Sequence, residues 1–171
     1  DAAALGSRNS STGDYSTALG FFNKATAQYA TALGISNEAT GQSSTSLGYY
    51  NDATGDYSTA LGYYNEADSY YATALGCYND ATGSYSATLG HYNTATGYNS
   101  IAIGMYTAAN ADSSTALGIS ARKEKKGSLV ISATNQDSGT SVSLELVAGT
   151  ATGGEGDMFS DDKFVTDTDV K

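Results

Sequence analysis

Four carboxylates recur at a fixed interval, Glu38, Asp52, Glu66 and Asp80, each 14 residues after the last. Carboxylate oxygens in a row are hard ligands that could hold a cation between successive units. No oxygen-rich loop accompanies them, so a solvated acidic face is the simpler expectation. The single histidine, His91, would need a Ser and an Asp beside it to form a nucleophilic triad, and nothing in the sequence positions them. The single cysteine, Cys77, excludes an internal disulfide and a multi-cysteine metal site. It stands at a position occupied by Phe, Ile, Tyr, His or Met in other units and reads as a tolerated substitution. GGEGDMF near the C-terminus matches half of a calcium-binding nonapeptide, in one copy only. Asp161, Asp162, Asp167 and Asp169 read as a solvated tail. The expectation is an absence of catalytic residues, metal ligands and cofactors.

The interval itself is the stronger signal. Glycine falls at Gly6, Gly20, Gly34, Gly48, Gly62, Gly76, Gly90, Gly104 and Gly118, a spacing of 14 with no insertion or deletion. A constant period over so many units marks a solenoid whose coils stack on one another. Units such as LGFFNKATAQYATA and LGYYNDATGDYSTA are too short for two helices, and their Thr and Tyr content favours strands. A weaker half-period of seven predicts two five-residue strands per coil, joined by turns at Gly or Ala. The fold expected is an all-β, parallel β-roll over residues 1–121. A basic junction with a short β element should follow at 122–150, and an acidic connector at 151–171.

Strand alternation assigns the faces. Ser16, Ala18 and Gly20 fall on one side, and Thr17 and Leu19 on the other. The half-repeat puts Asn23, Ala25 and Ala27 with the first set and Lys24 with the second. Because Lys24 is replaced by Glu38, Asp52, Glu66 and Asp80 in later coils, the second set must face water. The interior is then Ala, Ser and Asn, in a thin roll. Leu19, Leu33, Leu47, Leu61, Leu75, Leu89, Ile103 and Leu117 form an aliphatic ladder on the outside. Such a ladder exceeds the apolar patch a soluble monomer leaves wet, which implies self-association. The alternative phase places Leu inside the roll. Asn23, Asn37, Asn51, Asn65, Asn79 and Asn93 should bond to one another along the stack. Tyr50, Tyr64, Tyr78, Tyr92 and Tyr106 form an aromatic ladder beside them and are the candidate ligand-facing residues. Tyr15, Tyr29, Tyr57, Tyr71 and Tyr85 form a second ladder.

The net charge of −10 argues against nucleic acid, since phosphate binding needs a basic face. No apolar run approaches the 18 residues of a membrane helix, so no membrane contact is expected in this stretch. The chain starts in mid-repeat at Asp1 and reads as a piece of a longer protein.

The unit YSTALGYYNDATGD resembles the head repeat of trimeric autotransporter adhesins, the YadA-like head, whose pattern is NSVAIG-x-x-S-x-A-x-G-x. The match is closest at Asn99, Ser100, Ile101, Ala102, Ile103 and Gly104, and the Ser-x-Ala-Leu-Gly core recurs at residues 16–20, 58–62 and 114–118. This resemblance implies a left-handed β-roll, a homotrimer about a threefold axis, and a place at the tip of a fibre on the bacterial outer membrane. It further implies binding of a host matrix protein, cell surface or glycan. The chain departs from the pattern in placing Asn23 and its equivalents where Ser or Ala is usual, in its dense tyrosine, and in lacking a recognisable neck. Two other readings stand beside adhesion. The same repeat occurs in phage tail fibres, and regular threonine columns (Thr26, Thr40, Thr54, Thr82, Thr96) can order water as ice-binding solenoids do.

Overall fold

The computed structural model describes residues 1–123, 127–134 and 141–147, all of them in strands and their connections, with no helix among them. Each coil contributes one long strand, as in Thr17–Phe21 and Thr31–Ile35, and one short strand, as in Lys24–Ala25 and Glu38–Ala39. Long strands pair only with long strands, parallel and in register, so that Leu19 stands between Leu5 and Leu33. The result is an 11-stranded sheet backed by a 9-stranded sheet of short strands. Thr, Leu and aromatic side chains suit the pleated surface of the long strand, and parallel stacking gives every coil a partner on either side.

The two strands of a coil were expected to be equal, and they are five and two residues long. The difference lies in the two turns, each of which contains a left-handed residue. Every seventh residue has φ between +51° and +60°, including Tyr15, Phe22, Tyr29, Tyr50, Tyr64 and Tyr78. After the long strand the chain turns tightly through Phe22 and Asn23. After the short strand it needs a four-residue turn, such as Ala27 to Ala30, closed by the Ala30 N–H on the Ala27 carbonyl at 3.2 Å. That turn consumes the residues the second strand would have used.

A left-handed non-glycine residue costs about 1–2 kcal/mol, so something must hold it there. Ordinary residues of a coil donate forward, as Thr17 N–H does to Ala30 O at 2.9 Å. The left-handed residues donate backward, Phe22 to Ser7 O at 3.1 Å and Tyr29 to Asp14 O at 2.8 Å. Each corner is thereby bonded to both neighbouring coils. Gly20 is required for a different reason: its φ is +120°, and a Cβ there would lie 2.1 Å from the carbonyl oxygen of Gly34. No side chain fits where two backbones come so close.

The core is the narrow one expected. Ala18, Ala25, Ala30, Ala32 and Ala39 are fully buried and form one cluster, and Ala53, Ala60, Ala67, Ala72, Ala74 and Ala81 form the next. Leu19, Leu61 and Leu89 remain 40%, 40% and 48% exposed, so leucine does not fill the roll. At the C-terminal end Ser128–Thr134 joins Thr115–Ile119 in parallel, and Ser141–Val147 returns antiparallel to it. Val130 packs under this hairpin against Ala116 and Ala121. The expected acidic connector at 151–171 lies outside the described residues, as do parts of the expected junction and β element at 122–150.

Candidate binding surface

The asparagines build the tight corner. Asn23 and its equivalents are almost wholly buried. The Asn37 amide nitrogen donates to Asn23 Oδ1 at 3.0 Å, to Leu33 O at 2.8 Å and to Gly48 O at 2.8 Å. The same Asn23 Oδ1 accepts the Asn37 backbone N–H at 3.0 Å. An amide that was left bare inside the roll would cost roughly 1–3 kcal/mol; here every polar group of the side chain has a partner. The bonding runs without a gap from Asn9 to Asn93 and ends on Thr107, whose hydroxyl donates to Asn93 Oδ1 at 2.7 Å.

This buried chain fixes the residue just before it, and that residue is usually tyrosine. The rings of Tyr50, Tyr64, Tyr78, Tyr92 and Tyr106 stack face to face, with centroids 4.9, 5.2, 4.7 and 5.3 Å apart. Tyr49 and Tyr63 pack edge-on against Tyr50 and Tyr64 at 4.7 and 4.8 Å. With their faces used on one another, the rings present edges and hydroxyls to solvent. Tyr78 is pushed up to about 12, first by its hydrogen bond with Tyr63 and then by lost hydration. The four-residue turns carry a second seam, in which Tyr57, Tyr71 and Tyr85 stack at 4.8 and 5.5 Å with Tyr70 set edge-on between them.

Thus coils of 14 residues, Ala-filled and cornered by glycine, display an outward leucine ladder and a tyrosine seam. Residues 1–23, 25–51, 53–76, 81–107 and 95–121 each match the YadA head domain repeat. The chain belongs to the YadA head domain repeat family. No curated protein sequence matches it. The family is one of repeats in surface heads and not a family of enzymes.

On this YadA head repeat array the remaining candidates fall on different faces. The leucine ladder lies on the outside of the long-strand sheet, with Leu33, Leu75 and Ile103 half-buried and the others more open. His91 lies on the same sheet with its ring against Tyr92 at a centroid distance of 4.5 Å. The carboxylates occupy the short-strand sheet, where Glu38, Asp52, Glu66 and Asp80 stand directly opposite one another. Lys24 pairs with Glu38 at the start of the row. Asp52 is raised to about 6, chiefly by lost hydration and then by Glu38 and Asp68. Glu66 is raised to about 7, chiefly by a hydrogen bond with Asp68 and then by lost hydration. Among the described residues, no three His, Cys, Asp or Glu side chains converge on a metal position.

Sequence reasoning missed three contributors. Asp68 interrupts the Thr column and couples to Glu66, and Thr54 donates to it at 2.7 Å. Tyr49, Tyr63 and Tyr70 widen the two seams, and the pairs at 49–50, 63–64 and 70–71 were the available signal. The left-handed corner residues were missed because tyrosine is not a residue that announces positive φ.

Proposed function

We propose that the chain is the head of a trimeric surface adhesin, built as a left-handed roll. Three copies meet through Leu19, Leu33, Leu47, Leu61, Leu75, Leu89, Ile103 and Leu117, and the seam of Tyr50, Tyr64, Tyr78, Tyr92 and Tyr106 faces a host matrix protein, cell surface or glycan. The observation that carries this reading is the leucine ladder, which a single chain leaves open along the whole long-strand sheet. An apolar column of that length is stable in water only when covered, and identical columns about a common axis cover one another. Tyrosine suits the outward role, because it offers a large amphipathic surface at little cost in entropy. The match to the YadA head repeat supports a threefold state and a surface location.

Light scattering on the purified chain tests the assembly. The expected mass is three times the 17.5 kDa chain. Leu61→Asp places a charge in the middle of the ladder and should yield a folded monomer. A wild-type chain that runs as a monomer, or a Leu61→Asp variant that stays associated, would sink this reading.

A further inference from the structure

The column two residues beyond the leucine ladder runs Phe21, Ile35, Tyr49, Tyr63 and then changes character. Its next three members are Cys77, His91 and Met105, before Ile119 restores the apolar pattern. The chain has one cysteine, one histidine and two methionines. Its only cysteine, its only histidine and one of its methionines therefore occupy three successive coils of one column. The pairing is direct, Cys77 opposite His91 and His91 opposite Met105. All three side chains are half-buried on the outer face.

We propose that Cys77, His91 and Met105 form a surface site for one copper(I) ion. Neighbouring strands stand about 4.8 Å apart, and metal bonds to sulfur or imidazole nitrogen are about 2.0–2.3 Å long. An ion beside the His91 ring is thus within reach of a thiolate on one side and of a thioether on the other, and the unbranched Met105 supplies the slack. Thiolate, thioether and imidazole together are a soft donor set, which selects copper(I) over the hard cations. The surroundings agree with that choice. Leu75, Leu89 and Ile103 flank the column on one side, and Tyr92 and Tyr106 brace the imidazole on the other at 4.5 and 5.9 Å. The carboxylate row lies on the opposite sheet, so no carboxylate of that row competes here. Binding displaces the thiol proton to solvent, and the copper enters and stays as copper(I), so no electron is transferred. The site needs a single chain and does not depend on the trimer.

The test is an anaerobic titration in which the chain competes with a coloured chelator for copper(I). One equivalent per chain should leave the chelator. Cys77→Ser, His91→Tyr and Met105→Ile install residues that the same column already carries as Ser7, Tyr63 and Ile35, so the coils keep their packing. Cys77→Ser should weaken binding by about 100-fold or more, and His91→Tyr and Met105→Ile by about 10-fold or more each. If the unaltered chain withdraws no copper, the proposal is overturned. It is equally overturned if only Cys77→Ser has an effect, since a bare thiol would then explain the uptake.

Discussion

The two outer faces of the roll share one interior and have opposite chemistry. The long-strand face carries Thr, Leu and a third column of aromatic, aliphatic and sulfur side chains, without one carboxylate among Leu19, Leu61, Leu89 and their neighbours. The short-strand face carries Lys24 and then four carboxylates in register. Behind both lie the same alanines, serines and asparagines. In a stacked coil the inside is constrained by close contact between backbones, and each outward column is free to vary almost independently of the next. The first face needs covering; the second needs protons or counter-ions.

A change to the shared backbone should damage both faces at once. Gly62→Ala would place a methyl 2.0 Å from the carbonyl oxygen of Gly76, at a φ of +125°. The expected loss is more than about 4 kcal/mol, or failure to fold, read by urea denaturation. A variant that unfolds at the wild-type midpoint would mean that the coils are not packed as described.

Acid should act on one face only. The folded-state values of Asp52 and Glu66 lie above their ordinary 3.8 and 4.5, at about 6 and about 7. A raised carboxyl value means that the folded chain binds the proton more tightly than the unfolded chain does. The stabilisation is thus complete below about pH 4 and is lost as pH rises through 6 and 7. These groups are partly exposed and screened, which reduces the combined effect to the order of 1 kcal/mol. Thermal unfolding at successive pH values should show a midpoint that rises on acidification between pH 7 and pH 5. Glu66→Gln should reduce that slope to the share left by Asp52 while leaving the mass of the assembly unchanged. A slope unchanged in Glu66→Gln would assign the effect to groups other than Glu66.

The corner between the faces should be more forgiving than the shared backbone. Tyr64→Ala removes stacking with Tyr50 and Tyr78 on an exposed edge. Aromatic pairs of this kind contribute about 0.5–1.5 kcal/mol each, so chemical denaturation should show a loss of about 1–3 kcal/mol. A larger loss would show that the seam belongs to the core.

Much of this was legible because repetition multiplies weak signals. One coil could not say whether Leu19 points in or out, but Lys24 and the acids that replace it favour the outward phase for all coils, and the exposure of Leu19, Leu61 and Leu89 agrees. The asparagine ladder was legible for the same reason, since Asn23 falls on the side of Ala18 and Ala25. Unequal strand lengths were not, because they depend on the four-residue turn from Ala27 to Ala30, which side-chain identity does not reveal. The partial withdrawal of Asp52 from water was likewise hidden, since the sequence shows only a charged residue in an outward column. It depends on neighbours one coil away on either side.

Fourteen-residue bonding also makes length a separable variable. The hydrogen bonds of Asn51 go to Asn37 and to residues of its own and the following coil, and those of Asn65 follow the same rule one step later. Removing or copying one whole unit reconnects every ladder to an equivalent partner and alters the rod by about 4.8 Å. A change of seven residues would instead put a long strand where a short one belongs. The reach of such a head can therefore be adjusted in discrete steps by the simplest of genetic events, while the chemistry of each remaining rung is left as it was.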